Sequence, residues 1–216
     1  MNTAILRLMV GFKRFKEKYF QINDLDNSLY SRLATEGQTP KTLFIGCSDS
    51  RVDPAILTSS APGDLFVIRN VANLVPPYEN ATSGVRGTSS ALEFAVVNLK
   101  VENILILGHR QCGGIRALMS NKPMASNSFI GPWMDIAAEA RITVLKQYPN
   151  GDEDTLWRAG EMESLKVSMK NLLTFPFVKE AVDAKKLNIL GLYFDIERGE
   201  LWQYDEVSKI FKVIEM

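Results

Sequence analysis

Histidine and cysteine are almost missing from this chain. Its 216 residues contain one histidine, His109, and two cysteines, Cys47 and Cys112. So few cysteines argue against a disulfide-stapled secreted framework and for a reducing compartment, the cytoplasm, where thiols stay free. Within one protomer these counts also exclude a closed structural zinc site of four cysteines, or of two cysteines and two histidines. Charge of one sign is not in excess: 25 Lys and Arg stand against 25 Asp and Glu. No global field therefore recruits nucleic acid or an anionic membrane. No apolar run reaches the ~20 residues of a membrane span. Repeats, low-complexity tracts and Gly/Ser linkers are missing too, so one domain over residues 1–216 is expected.

What is present is ordered. The first twenty residues are basic and apolar. Arg7 interrupts the apolar stretch and no small-residue cleavage site follows, which argues against a secretory signal; an organelle transit peptide is the competing reading. Ile5, Leu8, Met9, Phe12, Phe15 and Tyr19 recur at helical spacing, predicting an amphipathic helix in an N-terminal helical arm over residues 1–35. Its apolar stripe needs a cover, from its own core or from a second protomer. Short apolar runs predict strands at Thr42–Gly46, Leu65–Arg69, Asn103–Gly108 and Leu187–Phe194, with a closing antiparallel strand at Leu201–Tyr204. Helical periodicity falls between them, at Ser89–Leu99, Ile136–Leu145 and Glu161–Leu173. The alternation predicts an α/β fold: a mostly parallel central sheet with an antiparallel edge strand and helices on both faces. Met119–Gly131 and Tyr148–Asp154 read as loops.

The three scarce residues are confined to two motifs, Cys47-Ser48-Asp49-Ser50-Arg51 and His109-Arg110-Gln111-Cys112-Gly113-Gly114. Each follows a predicted strand, and loops of a parallel sheet converge beyond the carboxyl ends of its strands. Cys112 falls at the start of the next helix, where amide donors and the dipole favour a thiolate. Gly113 and Gly114 are expected to let backbone pack closely around that sulfur. The pattern points to one metal centre with two thiolates and one imidazole, and to one zinc ion per protomer. Three protein ligands leave a fourth position for a carboxylate, water or substrate, and an open position is the mark of a catalytic site. Asp49 is close enough along the chain to fill it in a closed state. Alternatively, Arg51 holds Asp49 ionised and turned away, free to accept a hydrogen bond from a zinc-bound hydroxide. Zinc lowers the pKa of its water to about 7 in all-histidine sites. Two thiolates cancel the metal's charge, so activity that climbs at alkaline pH is expected.

At these residues the chain resembles the β-class carbonic anhydrases, in their plant-like branch. The Cys-Ser-Asp-Ser-Arg and Gly-His-x-x-Cys-Gly-Gly loops are similar to that family's zinc signatures, and Pro62–Asn70 is similar to its second-strand segment. Further similarity runs through Glu93–Gly108, Ser164–Phe177 and Tyr193–Ile196. The resemblance implies a zinc lyase that reversibly hydrates carbon dioxide to bicarbonate and a proton, assembled as a dimer or a higher homo-oligomer. It implies Cys47, His109 and Cys112 as zinc ligands and Asp49 with Arg51 as the catalytic dyad. It implies Gln38, Phe66, Val71, Phe94 and Gly113 as the substrate-binding set, with Gln38 meeting bicarbonate across a dimer interface. Read singly, Phe66 and Val71 are core residues and Gln38 belongs to a surface loop. Phe94 stands where plant-like relatives carry tyrosine, and Arg110 replaces a small residue. Since His109 is committed to metal, no histidine remains to shuttle protons, and turnover is expected to depend on external buffer. Two other readings share the residues: hydrolysis of carbon disulfide or carbonyl sulfide at the same zinc, and a non-catalytic zinc or redox sensor built on the cysteine pair.

Overall fold

The computed structural model describes residues 2–20, 28–79, 86–120 and 128–215. Four strands run parallel: β1 (Thr42–Cys47), β2 (Leu65–Asn70), β3 (Asn103–His109) and β4 (Asn188–Asp195). Each lies within one residue of its predicted bounds. The antiparallel strand expected after them is β5 (Glu200–Asp205), and beyond it lies a further antiparallel strand, β6 (Ile210–Val213). The sheet order is β2-β1-β3-β4-β5-β6. The chain leaves β1 for one neighbour and later returns to its other side as β3. At such a reversal the loops leaving the two strands diverge and open a crevice at their carboxyl ends. Cys47 ends β1 and His109 ends β3.

The helices in chain order are α1 (Thr3–Tyr19), α2 (Leu29–Glu36), α3 (Pro54–Thr58), α4 (Gly87–Glu93), α5 (Gly113–Met119), α6 (Ile130–Met134), α7 (Ala138–Gln147), α8 (Glu153–Leu172) and α9 (Pro176–Asp183). The helix expected over Ser89–Leu99 is α4 followed by one π turn, Phe94–Asn98, in which the Leu99 amide bonds the Phe94 carbonyl. The helix expected from Glu161 begins at Glu153, because the Asp152 side chain accepts the Thr155 amide and caps it. The loop expected over Tyr148–Asp154 shrinks accordingly. Most of the other expected loop, Met119–Gly131, is residues 121–127, which lie outside the described residues.

Side-chain alternation divides the core. One sheet face carries Leu43, Ile45, Ile104, Ile106 and Tyr193, packed against Leu165, Met169 and Leu172 of α8 and Leu92 of α4. The other carries a smaller cluster, Phe44, Leu107 and Leu192, flanked by partly buried Leu65, Leu105, Leu201 and Ile214. A third cluster joins Cys47 and Cys112 to α5 and α7 through Ile115, Leu118 and Val144. Helix α1 buries none of its residues; Ile5, Leu8, Met9 and Phe12 are all exposed. It meets α2 through an aromatic group in which Phe15, Tyr19 and Phe20 surround Tyr30. The apolar stripe read from the sequence is real, and this chain's own core does not cover it.

Candidate metal centre

The ligand-capable atoms of Cys47, His109 and Cys112 all lie within 4.8 Å of one another, and all three residues are buried. The two sulfurs stand 4.0 Å apart as free thiols. The neighbouring Cys112 thiol opposes burial and lowers the Cys47 thiol below its ordinary range, so a thiolate forms readily there. The imidazole orientation is fixed by its own loop: Nδ1 lies 2.9 Å from the Arg110 carbonyl, so Nδ1 carries the proton and Nε2 the lone pair. That Nε2 is buried and has no hydrogen-bond partner. A buried nitrogen lone pair beside two paired thiols is a donor set that fits a thiophilic, imidazole-binding ion such as zinc.

The two loops are braced from several directions. The Asp49 carboxylate is taken by Arg51: Oδ1 accepts from the backbone amide and from Nε at 2.9 Å each, and Oδ2 accepts from Nη2 at 2.7 Å. This bidentate grip holds the Asp49 carboxyl well below the usual carboxylate range. The expected pairing of Asp49 with Arg51 is therefore formed. Nη2 of Arg51 also donates to the Gln111 carbonyl at 3.0 Å, aimed there by a left-handed backbone at Gln111 (φ 62°). Arg69 donates to the Cys47 carbonyl at 2.9 Å and the Asp49 carbonyl at 2.6 Å while pairing with Asp53. The charge ending the apolar run Leu65–Ile68 was the sequence signal for Arg69; nothing local marked Gln111. Arg110 is buried and turns toward α8, where it pairs with Asp154.

The substrate-binding candidates separate into two groups. Val71 lies against the metal loop, since a side chain added at Gly114 would meet its Cγ1 at 2.9 Å. The Val71 carbonyl accepts from the Trp133 indole at 2.8 Å, and both residues line an apolar cavity of ≈ 730 Å³. Gly113 opens α5 at the same end of the sheet. The expectation of close packing holds at Gly114 alone, because the space beside Gly113 is open. Gln38, Phe66 and Phe94 gather at the opposite end. Phe66 pairs with Leu43, four residues before Cys47, hence about 13 Å down the strand. The Phe94 ring sits 5.8 Å from that of Phe66 and is half exposed, and Gln38 is an exposed residue just before β1.

A sequence model described as carbonic anhydrase matches residues 42–201, which include both metal loops and all four parallel strands. The chain is 38% identical over 207 residues to beta carbonic anhydrase 3 of Arabidopsis thaliana, covering 94% of this chain and 78% of the relative. The chain belongs to the β-class carbonic anhydrases. The solved structure of the β-carbonic anhydrase CcaA superposes with a TM-score of 0.89 at 35% identity, over 100% of this chain and 94% of that one. A tetrameric β-carbonic anhydrase of Sordaria macrospora superposes with a TM-score of 0.79 at 28% identity, covering 94% and 97%. This β-carbonic anhydrase fold is therefore shared along nearly the whole length of the chain. Among the described residues no helix is long and apolar enough to cross a membrane.

Proposed function

We propose that this carbonic anhydrase hydrates carbon dioxide reversibly at a zinc ion held by Cys47, His109 and Cys112, one ion per chain. The observation that carries this reading is the buried, unpartnered Nε2 of His109 facing two thiols. When bound there, zinc supplies the Lewis acidity that makes water a nucleophile near neutral pH. Asp49 and Arg51 orient the reactants. With Arg51 bound along one edge, the Asp49 carboxylate stays ionised and keeps one lone pair of Oδ2 free to accept an O–H from the attacking water, directing that water's remaining lone pair at carbon. Val71 gives the site an apolar wall suited to an uncharged gas.

Gln38, Phe66 and Phe94 stand at the wrong end of the sheet to serve the metal of their own chain. They serve a second copy, and the assembly is a homodimer or larger. The uncovered stripe of α1 and the thinly covered sheet face around Leu105 and Leu201 support that reading. The paired free thiols suit the reducing cytoplasm.

The test is stopped-flow hydration of carbon dioxide by protein whose zinc content has been measured. Hydration proportional to zinc, rising toward alkaline pH, is expected. Full zinc occupancy without hydration rules the reading out.

A further inference from the structure

Glu161 is an acidic side chain buried behind the metal loops, with 1% of its side chain exposed. Burying a carboxylate costs several kcal/mol unless its oxygens are well bonded. Here the donors come from two separate elements. Oε1 accepts the backbone amide of Cys112 at 3.1 Å, and Oε2 accepts the Tyr193 hydroxyl of β4 at 2.8 Å. Arg110 Nη1 lies 3.8 Å from Oε2.

The bond to Cys112 is unusual in what it secures. Cys112 is the N-cap of α5 and makes no side-chain capping bond. Its amide precedes the first helical turn, where no carbonyl of α5 can take it. Helix α8 thus grips the metal loop at Arg110, through Asp154, and at Cys112, through Glu161. Between those two points sits Gln111 in its left-handed conformation. Gly160 permits the approach: a side chain there would strike Met119 of α5 at 2.9 Å.

We infer that Glu161 is a positioning residue for the metal centre. By accepting the Cys112 amide it fixes the Cα–Cβ direction of that residue and aims its sulfur toward Cys47 and His109. The inference rests on the metal reading above. Its agent is the acceptor oxygen, so the amide of glutamine should serve: Oε1 still takes Cys112, and the Tyr193 hydroxyl turns to accept from the new NH₂.

The experiment follows zinc transfer from the full chain to a chromogenic chelator, well below the melting temperature, alongside the charge-transfer bands of the cobalt-substituted protein. In Glu161→Ala, zinc should leave about 10–100-fold faster and the cobalt–thiolate bands should shift. Glu161→Gln should stay near wild type. Leu172→Ala, a buried truncation elsewhere on α8, should lower the melting temperature and leave zinc release unchanged. If Glu161→Ala does not fold, Glu161→Asp replaces it, since the shorter carboxylate cannot span Cys112 and Tyr193, and its zinc should likewise leave faster. Wild-type release from Glu161→Ala or its Asp substitute overturns the inference. So does equal acceleration in Leu172→Ala, or release from Glu161→Gln as fast as from Glu161→Ala. Wild-type protein that holds no zinc removes the metal reading and this inference together. A zinc-loaded wild type with indifferent variants removes this inference alone.

Discussion

The two ends of the sheet are built differently. At the carboxyl ends of β1 and β3, the chain alone buries three candidate ligands and surrounds them with Arg51, Arg69, Arg110 and Glu161. At the amino ends, Gln38 and Phe94 stand exposed, and none of the described residues completes a site around them. On the proposed function, one end is a finished site and the other is half of one, which a symmetric partner meeting the first end with the second completes.

The largest effect should come from the finished end. Cys112→Ala leaves two protein ligands, and zinc per chain measured by elemental analysis should fall to near zero, with hydration at the uncatalysed level. Asp49→Asn should act differently. It keeps zinc but weakens the charge-assisted grip of Arg51, and hydration should fall on the order of 100-fold at unchanged metal content. A mutant that loses both together would mean that Asp49 serves the metal itself.

The incomplete end is tested by mixing. Gln38→Ala should lower hydration less than Asp49→Asn, since it removes one contact and no metal. In a mixed dimer of Gln38→Ala and Cys112→Ala chains, one site combines the intact metal end of the first chain with the intact Gln38 of the second. Refolding the two variants together should therefore raise activity above the mean of the parents. Activity at or below that mean would place both ends of the site in one chain.

These two ends were unequally legible in the sequence. The metal end could be read because its residues are scarce and sit directly after strands, whose apolar runs are themselves plain. Cys47 and His109 needed no knowledge of packing. The grip of Glu161 on Cys112 was invisible, since it joins a helix to a loop across the core and the periodicity there marks only which face is apolar. The early start of α8 was hidden by a polar first turn and by Gly160, a poor helix former kept for its close approach to α5. At the other end, Phe66 read equally well as core. Only its distance from Cys47 along the strand separates the two meanings, and that distance exists only once the register is known.

A smaller effect concerns the proton. With His109 held in the centre, no other histidine exists in the chain. Turnover at fixed pH and ionic strength should rise with imidazole-type buffer and then saturate, and a flat response would reveal an internal carrier.

The smallest effect uses a matched pair of turns, one at each end. Asp195 closes the β4–β5 turn at the metal end: Oδ1 accepts the amides of Glu197 and Arg198, and Oδ2 takes Arg158 at 2.9 Å. Asp205 repeats the device at the far end, with Oδ1 on the amides of Val207 and Ser208 and Oδ2 on Lys212. The motifs match, but Asp195 is fully buried and Asp205 only partly so. Asp195→Ala leaves three part-buried donors without their acceptor and should cost about 2 kcal/mol in urea unfolding, with Asp205→Ala costing less. The Lys212 ammonium, aided by the turn amides, holds Asp205 well below the usual carboxylate range. A depressed pKa adds stability above the unfolded value of about 3.9 and loses it as acid protonates the folded group. The gap in urea midpoint between wild type and Asp205→Asn should therefore be full at pH 7 and close progressively below about pH 4. A gap that persists in strong acid would mean that the Asp205 charge, and with it the Lys212 pair, is not what stabilises the turn.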